Sequence, residues 1–459
     1  MTPEQRGSLV NPNQILTRLK SKEYTEMDAR KVRQGQYPDV DWSTITPLDE
    51  ELIERMRHAE GMFMNSISKY AITRDIPYKE RQRQYYDHLR FWNHTLTTRK
   101  IDFVLMNHVP HQCYDYVIYM LCKLKGIKTL YLERNVTVDA IYLVEDWEEG
   151  ATDMRDRLEQ LKREYADPAT PVPLSDNYEY YFNYYRTKQA PKPWYQLHQE
   201  DPGEQSFVQR WWKNALRLLL KNPLGFASAL LSRKVWSHKL RQHHTLHFYN
   251  DHTREPDLTV PYVYVALHRQ PEASTIPLAG VYVDQELIVQ MLAACLPPDV
   301  RIYVKEHPMQ TERWRTLEFY QKLLAVPNVS FVPKTTDTFD LIDKSLAVVS
   351  ATGSAIFEAI LRQKASLMFG HYFYQYGPGV YRIRTLEDCK RAVAAIPEGR
   401  QSHEVRDVRL FLKAIDESAT PAMRIPGSPI EIYSDEEKCV MAGAYLEKRM
   451  WRMFPQLNH

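Results

Sequence analysis

Three polar clusters in the C-terminal half have residue types suited to binding an anion. Each follows a short apolar run. They are His268-Arg269-Gln270-Pro271-Glu272-Ala273-Ser274-Thr275, Lys305-Glu306-His307-Pro308, and Ser350-Ala351-Thr352-Gly353-Ser354, with Glu358 one turn later. In the third cluster, Gly353 lets a backbone approach a ligand closely, and the helix that starts there offers unpaired amide protons. Thr352 and Ser354 add hydroxyls, and Glu358 could accept hydrogen bonds from two ribose hydroxyls. The alternative is that Ser354 merely caps the helix and Glu358 is a solvated first-turn carboxylate. In the second cluster, Pro308 pre-sets a helix start, so His307 is held at a strand–helix junction. There it can donate to a phosphate or protonate a departing one. In the first, Pro271 stiffens the turn that carries Glu272, and His268 and Arg269 add positive charge suited to a carboxylate or phosphate. Each cluster alone also reads as ordinary loop or cap chemistry. Their recurrence on consecutive strand ends is what sets them apart.

A second set lies upstream. His108 and His111 follow the run Ile101–Met106, and Asp115 and Glu133 lie beyond them. Two histidines and an aspartate raise the question of a metal. The spacing is not that of a zincin helix and no cysteine ligand pattern accompanies it, so the expectation is no metal and an acceptor-side or general-base role. The bland alternative for Asp115 is compensation of a helix dipole from the first turn.

The elements that must position these residues follow from periodicity. Ile101–Met106 reads as a strand, 114–125 as a helix closed by Gly126, and Lys128–Glu133 as a second strand, which together make a βαβ unit. Helical periodicity also marks Asp49–Lys69 and Tyr78–Thr98. Residues 150–205 read as a helix followed by an irregular connection. From Tyr262 onward strands and helices alternate: strands at Tyr262–Leu267, Arg301–Lys305, Val329–Val332, Leu346–Ser350 and Ser366–Phe369. Helices are expected at Asp284–Cys295, Thr311–Val326, Thr338–Lys344 and Gly353–Arg362. Such alternation predicts a doubly wound parallel sheet, whose ligands bind beyond the carboxyl ends of the strands.

The bulk properties exclude other classes. The chain has 459 residues, long enough for two domains, and is 44% apolar and 26% charged, as soluble enzymes are. A net charge of +2 gives no global signature of nucleic-acid binding. Five scattered cysteines form no CxxC pair and predict a reducing cytoplasm. The N-terminal residues do not resemble a signal peptide, and no apolar run reaches the roughly 18 residues that span a bilayer. Residues 206–247 are basic and amphipathic, with Trp211, Trp212 and Trp236 among lysines and arginines. Such a segment either lies on an anionic membrane or faces a core.

The strings VYVALHRQPEAST, YVKEHP and VVSATGSAIFEAILRQKASLMFG resemble the capsular polysaccharide synthesis family, as does NHVPHQCYDYVIYMLCKLKGIKTLYLERN. That family includes retaining β-Kdo transferases of bacterial surface glycans and is a distant cousin of bacterial sialyltransferases. The resemblance covers about 101–150 and 260–385. It implies an α/β, GT-B-like fold of two Rossmann-like doubly wound domains facing a central cleft.

The resemblance also implies transfer of a sugar, Kdo, from a CMP-activated donor to a glycan or glycolipid acceptor, with no separate cofactor. It places the donor on Gln270, Glu272, His307, Ser350, Thr352, Gly353, Ser354 and Glu358, and the neighbouring His268, Arg269, Lys305 and Pro308 of the same clusters are expected to bind it with them. His108 and His111 fall on the acceptor side. The catalytic groups are sought among Glu272, His307, Asp115 and Glu133. The implied division is 1–255 for the acceptor-side domain, with its core at about 100–150 and the basic insert at about 206–247. The nucleotide-sugar domain is 256–400, and 401–459 are helices packing back across both. Peripheral contact with the inner membrane or export machinery is expected, and no nucleic-acid partner. Two other readings stay open: a UDP-sugar-dependent transferase or epimerase, and a non-catalytic glycan-binding or assembly protein on a transferase fold.

Overall fold

The computed structural model describes residues 27–38, 40–70, 76–135, 140–187, 244–245, 247–310, 315–396, 401–421 and 434–455. Almost all of the basic segment 206–247 lies outside them. The described residues form two compact units. One comprises residues up to Arg134 with 420–421 and 434–455, and the other runs from Asn135 to Ala419.

The first unit contains helices α1 (Arg57–Ser66) and α2 (Tyr78–Thr98), strand β1 (Phe103–Met106), helix α3 (Tyr114–Lys125) and strand β2 (Lys128–Asn135). β1 and β2 run parallel, with Phe103 opposite Lys128, so the expected βαβ unit is present. The ladder starts at Phe103 rather than at Ile101 for a local reason. Gly126 adopts the left-handed conformation that ends α3, and Ile127 N–H bonds back to Cys122 O, so β2 begins only at Lys128. α3 buries Tyr116, Val117, Tyr119, Leu121 and Cys122.

The second unit opens with β3 (Ala140–Val144), α4 (Thr152–Glu164) and α5 (Asp176–Arg186). The irregular connection expected after the first helix is therefore partly helical. Tyr178, Tyr181, Phe182 and Tyr185 are buried at the i, i+3, i+4, i+7 spacing of one helical face. Arg409 pairs with Glu179 at 2.8 Å, and Arg157 with Glu417 at 2.6 Å. These contacts tie α4 and α5 to α11 (Val405–Ser418), and all three helices lie in the second unit. Of the C-terminal residues, α11 sits in the second unit and the helix Asp435–Met453 in the first.

The remaining elements alternate: β4 (Tyr262–Ala266), α6 (Glu286–Cys295), β5 (Arg301–Lys305), α7 (Leu317–Leu324), β6 (Val329–Val332), α8 (Thr338–Lys344), β7 (Ala347–Ser350), α9 (Ser354–Leu361), β8 (Ala365–Met368), β9 (Val380–Arg382) and α10 (Leu386–Ala395). α7 is shorter than expected because Thr316 caps it, accepting Phe319 N–H at 3.1 Å. All neighbouring strands pair in parallel, in the order β6-β5-β4-β7-β8-β9. Numbered from β4, that is the 3-2-1-4-5-6 order of a dinucleotide-binding sheet, whose switch point lies between its first and fourth strands. β4, β7 and β8 are buried on both faces, as parallel strands covered by helices must be. The second unit thus carries a Rossmann-like parallel α/β sheet, and the first carries a βαβ unit of the same parallel kind. Among the described residues no helix is long and apolar enough to cross a membrane.

Candidate functional site

The switch point puts two of the three polar clusters side by side. β4 ends at Ala266 and β7 at Ser350, and Ser350 Oγ donates to Ala266 O at 2.8 Å across the gap. Beyond it, Thr352 N–H donates to His268 Nε2 at 2.9 Å, and Thr352 Oγ1 donates to Ser274 O at 2.6 Å. The β5 cluster joins through Arg315. Its Nε donates to Glu306 Oε2 at 2.9 Å and its Nη2 to His268 O at 2.8 Å, while Nη1 reaches Gln270 Oε1. All three strand ends therefore converge, as their spacing predicts.

Convergence is achieved by consuming much of the polar inventory. His268 is buried, and burial pushes its pKa down to about 3, with His307 and Arg315 adding to the effect. Its Nε2 accepts a hydrogen bond from the Thr352 amide, so the ring is neutral. The positive charge expected of His268 is absent, because a buried imidazole without an anionic partner sheds its proton. Its backbone is clamped as well: Gln285 Oε1 accepts His268 N–H at 2.7 Å. Gln270 is likewise engaged at both ends of its amide, with Val283 O and Arg315. The Gln270–Pro271 peptide is cis.

Gly353 has a packing role. A Cβ there would lie 2.7 Å from Ser350 Oγ and 3.4 Å from His268 Nε2, so only glycine lets the two loops close. Gly353 itself is the N-cap residue of α9, and Ser354 does not cap it. Ser354 Oγ instead donates to Glu358 Oε1 at 3.3 Å. Nor is Glu358 a solvated carboxylate: every residue from Ala355 to Leu361 is buried. The run AIFEAIL is apolar on all sides, and a helix with no polar face is buried whole and carries its one acid with it. Burial pushes the Glu358 pKa up to about 7, against the Ser354 hydrogen bond and the charge of Lys305. Lys305, also buried, donates to Thr338 Oγ1 at 2.9 Å and is pushed down to about 8.

What remains toward solvent is small and charged. Arg269 and Glu272 are each 44% exposed and pair at 3.3 Å. His307 is half-buried. Its Nδ1 accepts Met309 N–H at 3.1 Å, which leaves Nε2 as its N–H donor. Burial lowers the His307 pKa to about 4, and the cations Arg269, Lys334 and Arg315 lower it further against Glu306. His307 is therefore a neutral hydrogen-bond donor with cationic neighbours, beside exposed Pro308. These groups, with the first-turn amides of α9, can receive an anion without a metal.

Arg315, Tyr249 and Tyr320 were not singled out in the sequence. Glu306, fully buried, accepts from Arg315 and from Tyr320 Oη at 2.8 Å, and its N–H donates to Tyr249 Oη at 3.0 Å. No local pattern marks these partners, because the tyrosines come from other elements and Arg315 from the residues before α7.

In the first unit the structure brings His108, His111 and Asp115 together, each offering a ligand atom within 4.8 Å of the others. The carboxylate of Asp115 accepts His111 N–H at 3.0 Å and Gln112 N–H at 2.6 Å, so the bland expectation of a helix-start carboxylate describes part of its role. Burial nevertheless pushes its pKa up to about 6. Glu133 on β2 is separate and unusual. It is fully buried, neither carboxyl oxygen has a hydrogen-bond partner, and burial pushes its pKa up to about 8.

Comparison with known proteins bears on the second unit. The family described as capsule polysaccharide biosynthesis protein matches residues 277–410. No curated relative matches the chain. Among solved structures, the beta Kdo 2,7 transferase KpsC of Thermosulfurimonas dismutans is similar, with 12% identity, 82% of this chain and 94% of that one covered, and a TM-score of 0.31. The UDP-GlcNAc 2-epimerase of Methanocaldococcus jannaschii shows 12% identity, 80% and 98% coverage and a TM-score of 0.28. The S. aureus MnaA–UDP structure shows 10%, 82% and 91%, and 0.27. Likenesses this loose bear on neither donor nor reaction. The matched segment holds Lys305, His307, Ser350 and the whole of α9. The likeness to the capsule polysaccharide biosynthesis protein family is confined to residues 277–410, within the second unit.

Proposed function

We propose that the protein is a glycosyltransferase of capsule or related surface polysaccharide assembly, working at the cytoplasmic face of the inner membrane. It takes a CMP-activated sugar, Kdo, as donor and a glycan or glycolipid as acceptor. The observation that carries this reading is that the family match includes the polar loops after β5 and β7, with His307 and the start of α9. The reaction breaks the bond from the anomeric carbon to the CMP phosphate and forms one to an acceptor hydroxyl, whose proton passes to a base. The phosphate leaves with its negative charge. His307 Nε2–H, Arg269 and the first-turn amides of α9 stabilise that charge. A guanidinium also suits the sugar carboxylate as a bidentate partner. Asp115, Glu133 and Glu272 are the acids among which the carboxyl group of the transfer is sought. The test is incubation with CMP-Kdo, with and without a glycolipid acceptor, following CMP release. Acceptor-dependent release is expected. Absence of both release and CMP binding, or thermal stabilisation by UDP and not by CMP, overturns the donor assignment.

A further inference from the structure

We propose that His108, His111 and Asp115 form a site for one divalent transition-metal ion, bound by two imidazole nitrogens and one carboxylate oxygen. The three residues occupy the turn that joins β1 to α3, and each presents a ligand atom within 4.8 Å of the other two. Their orientation is set from outside the cluster. His108 Nδ1 lies 2.8 Å and His111 Nδ1 2.9 Å from the same carbonyl oxygen, that of Val109. A carbonyl only accepts, so each ring donates an Nδ1–H to it, and Nε2 is the nitrogen through which each would meet an ion. Fixing one ring nitrogen on a backbone carbonyl is how metal-binding histidines are oriented and made better donors. Gln112 Nε2 stands 3.2 Å from His108 Nε2 and donates to it when no ion is bound.

Asp115 is supported in the same way. Its two oxygens accept the amides of His111 and Gln112, and each keeps a further lone pair. Cys113, at the head of α3 and between His111 and Asp115, has φ of 70°, an uncommon backbone shape for a residue with a side chain. Two imidazoles and a carboxylate make an N2O donor set. That set favours zinc, cobalt or iron over magnesium or calcium, which prefer all-oxygen ligands. An ordinary anion gains nothing from it, because both ring N–H groups are already committed to Val109. The proposal is independent of which sugar nucleotide the second unit binds.

The test uses the full chain, stripped with a chelator and titrated with Co²⁺ while visible absorption is followed. One equivalent is expected to bind with d–d bands, and Zn²⁺ to displace it. His108→Ala and His111→Ala leave the Asp115 cap in place, and their metal-free melting should match the parent. Each is expected to weaken Co²⁺ binding by more than the about 10- to 100-fold that loss of a supporting group costs. Absence of bands in the parent protein overturns the proposal. So does binding that persists in the double histidine variant, or displacement of Co²⁺ by an equal amount of Mg²⁺.

Discussion

The two units treat their strand-end polar residues in opposite ways. In the second unit several polar groups beyond β4, β5 and β7 bond from one loop to another. Arg315 alone spans Glu306, Gln270 and His268. In the first unit Glu133 is buried with neither oxygen partnered, and the histidine pair leans on a single carbonyl. The first arrangement makes a rigid frame that exposes only a few charges. The second stores unspent chemistry. Buried polar groups that satisfy one another rigidify a structure, whereas unsatisfied ones cost stability and persist where a function requires them. A frame and a store should respond differently to mutation, pH and ligand.

The largest effect is expected where the frame is cut. Arg315→Met leaves Glu306 as a buried charge without its partner, and breaking such a pair costs about 3–5 kcal/mol. The Tyr320 hydroxyl, which donates to the Glu306 carboxylate, softens the loss without replacing a cation. Denaturant unfolding of the variant should show a lower midpoint with an unchanged slope. If the midpoint stays within experimental scatter, the loops are not held by Arg315 and the contrast between the units fails.

Glu133 tests the other side. Its carboxyl has a folded pKa of about 8 against an ordinary 4.5, so the folded state holds the proton more tightly than the unfolded chain. Its contribution to stability is complete below pH 4.5 and is lost as pH rises through 8. At about 1.4 kcal/mol per unit, the loss is on the order of 5 kcal/mol. Asp115 and Glu358, raised to about 6 and about 7, act in the same direction, so the test must be a difference between variants. Glu133→Gln cannot ionise. Its stability relative to the parent should therefore rise between pH 5 and pH 9. Parallel stability curves for the two proteins would mean that Glu133 has a partner in solution, and the first unit would then resemble the second.

Much of the frame was legible in the sequence because it is local. Periodicity located β5, β6 and α8, and Gly126 marked the end of α3, since a strand or a cap declares itself within a few residues. The convergence of the three clusters was legible too, because parallel alternation places strand ends on one edge. What escaped was the difference between a polar side chain that faces a ligand and one that braces a loop. Thr352, Ser350 and Gln270 look like donor-binding residues in the sequence, yet each bonds to a residue more than ten positions away. Glu358 could have been read better. A single acid within AIFEAIL has no polar face to emerge on, and the pattern itself predicts burial. Arg315 had no such signal, since its partners lie on two other strand ends.

The smallest expected change in stability belongs to the two charges that the frame leaves exposed. Arg269 and Glu272 pair at 3.3 Å with each side chain 44% exposed, and an ion pair so open to water contributes under about 1 kcal/mol. Arg269→Ala should therefore melt close to the parent, in contrast to Arg315→Met. Its effect should appear in binding. Arg269 is close enough to His307 to depress its pKa, so removing the guanidinium takes positive charge from the place proposed for the phosphate. CMP affinity measured by calorimetry should fall about tenfold or more, the worth of one charge-assisted contact to an anion. Binding should also weaken as salt rises in the parent and do so less steeply in the variant. An Arg269→Ala protein that binds CMP as the parent does would place the nucleotide elsewhere and leave this corner of the second unit as frame alone.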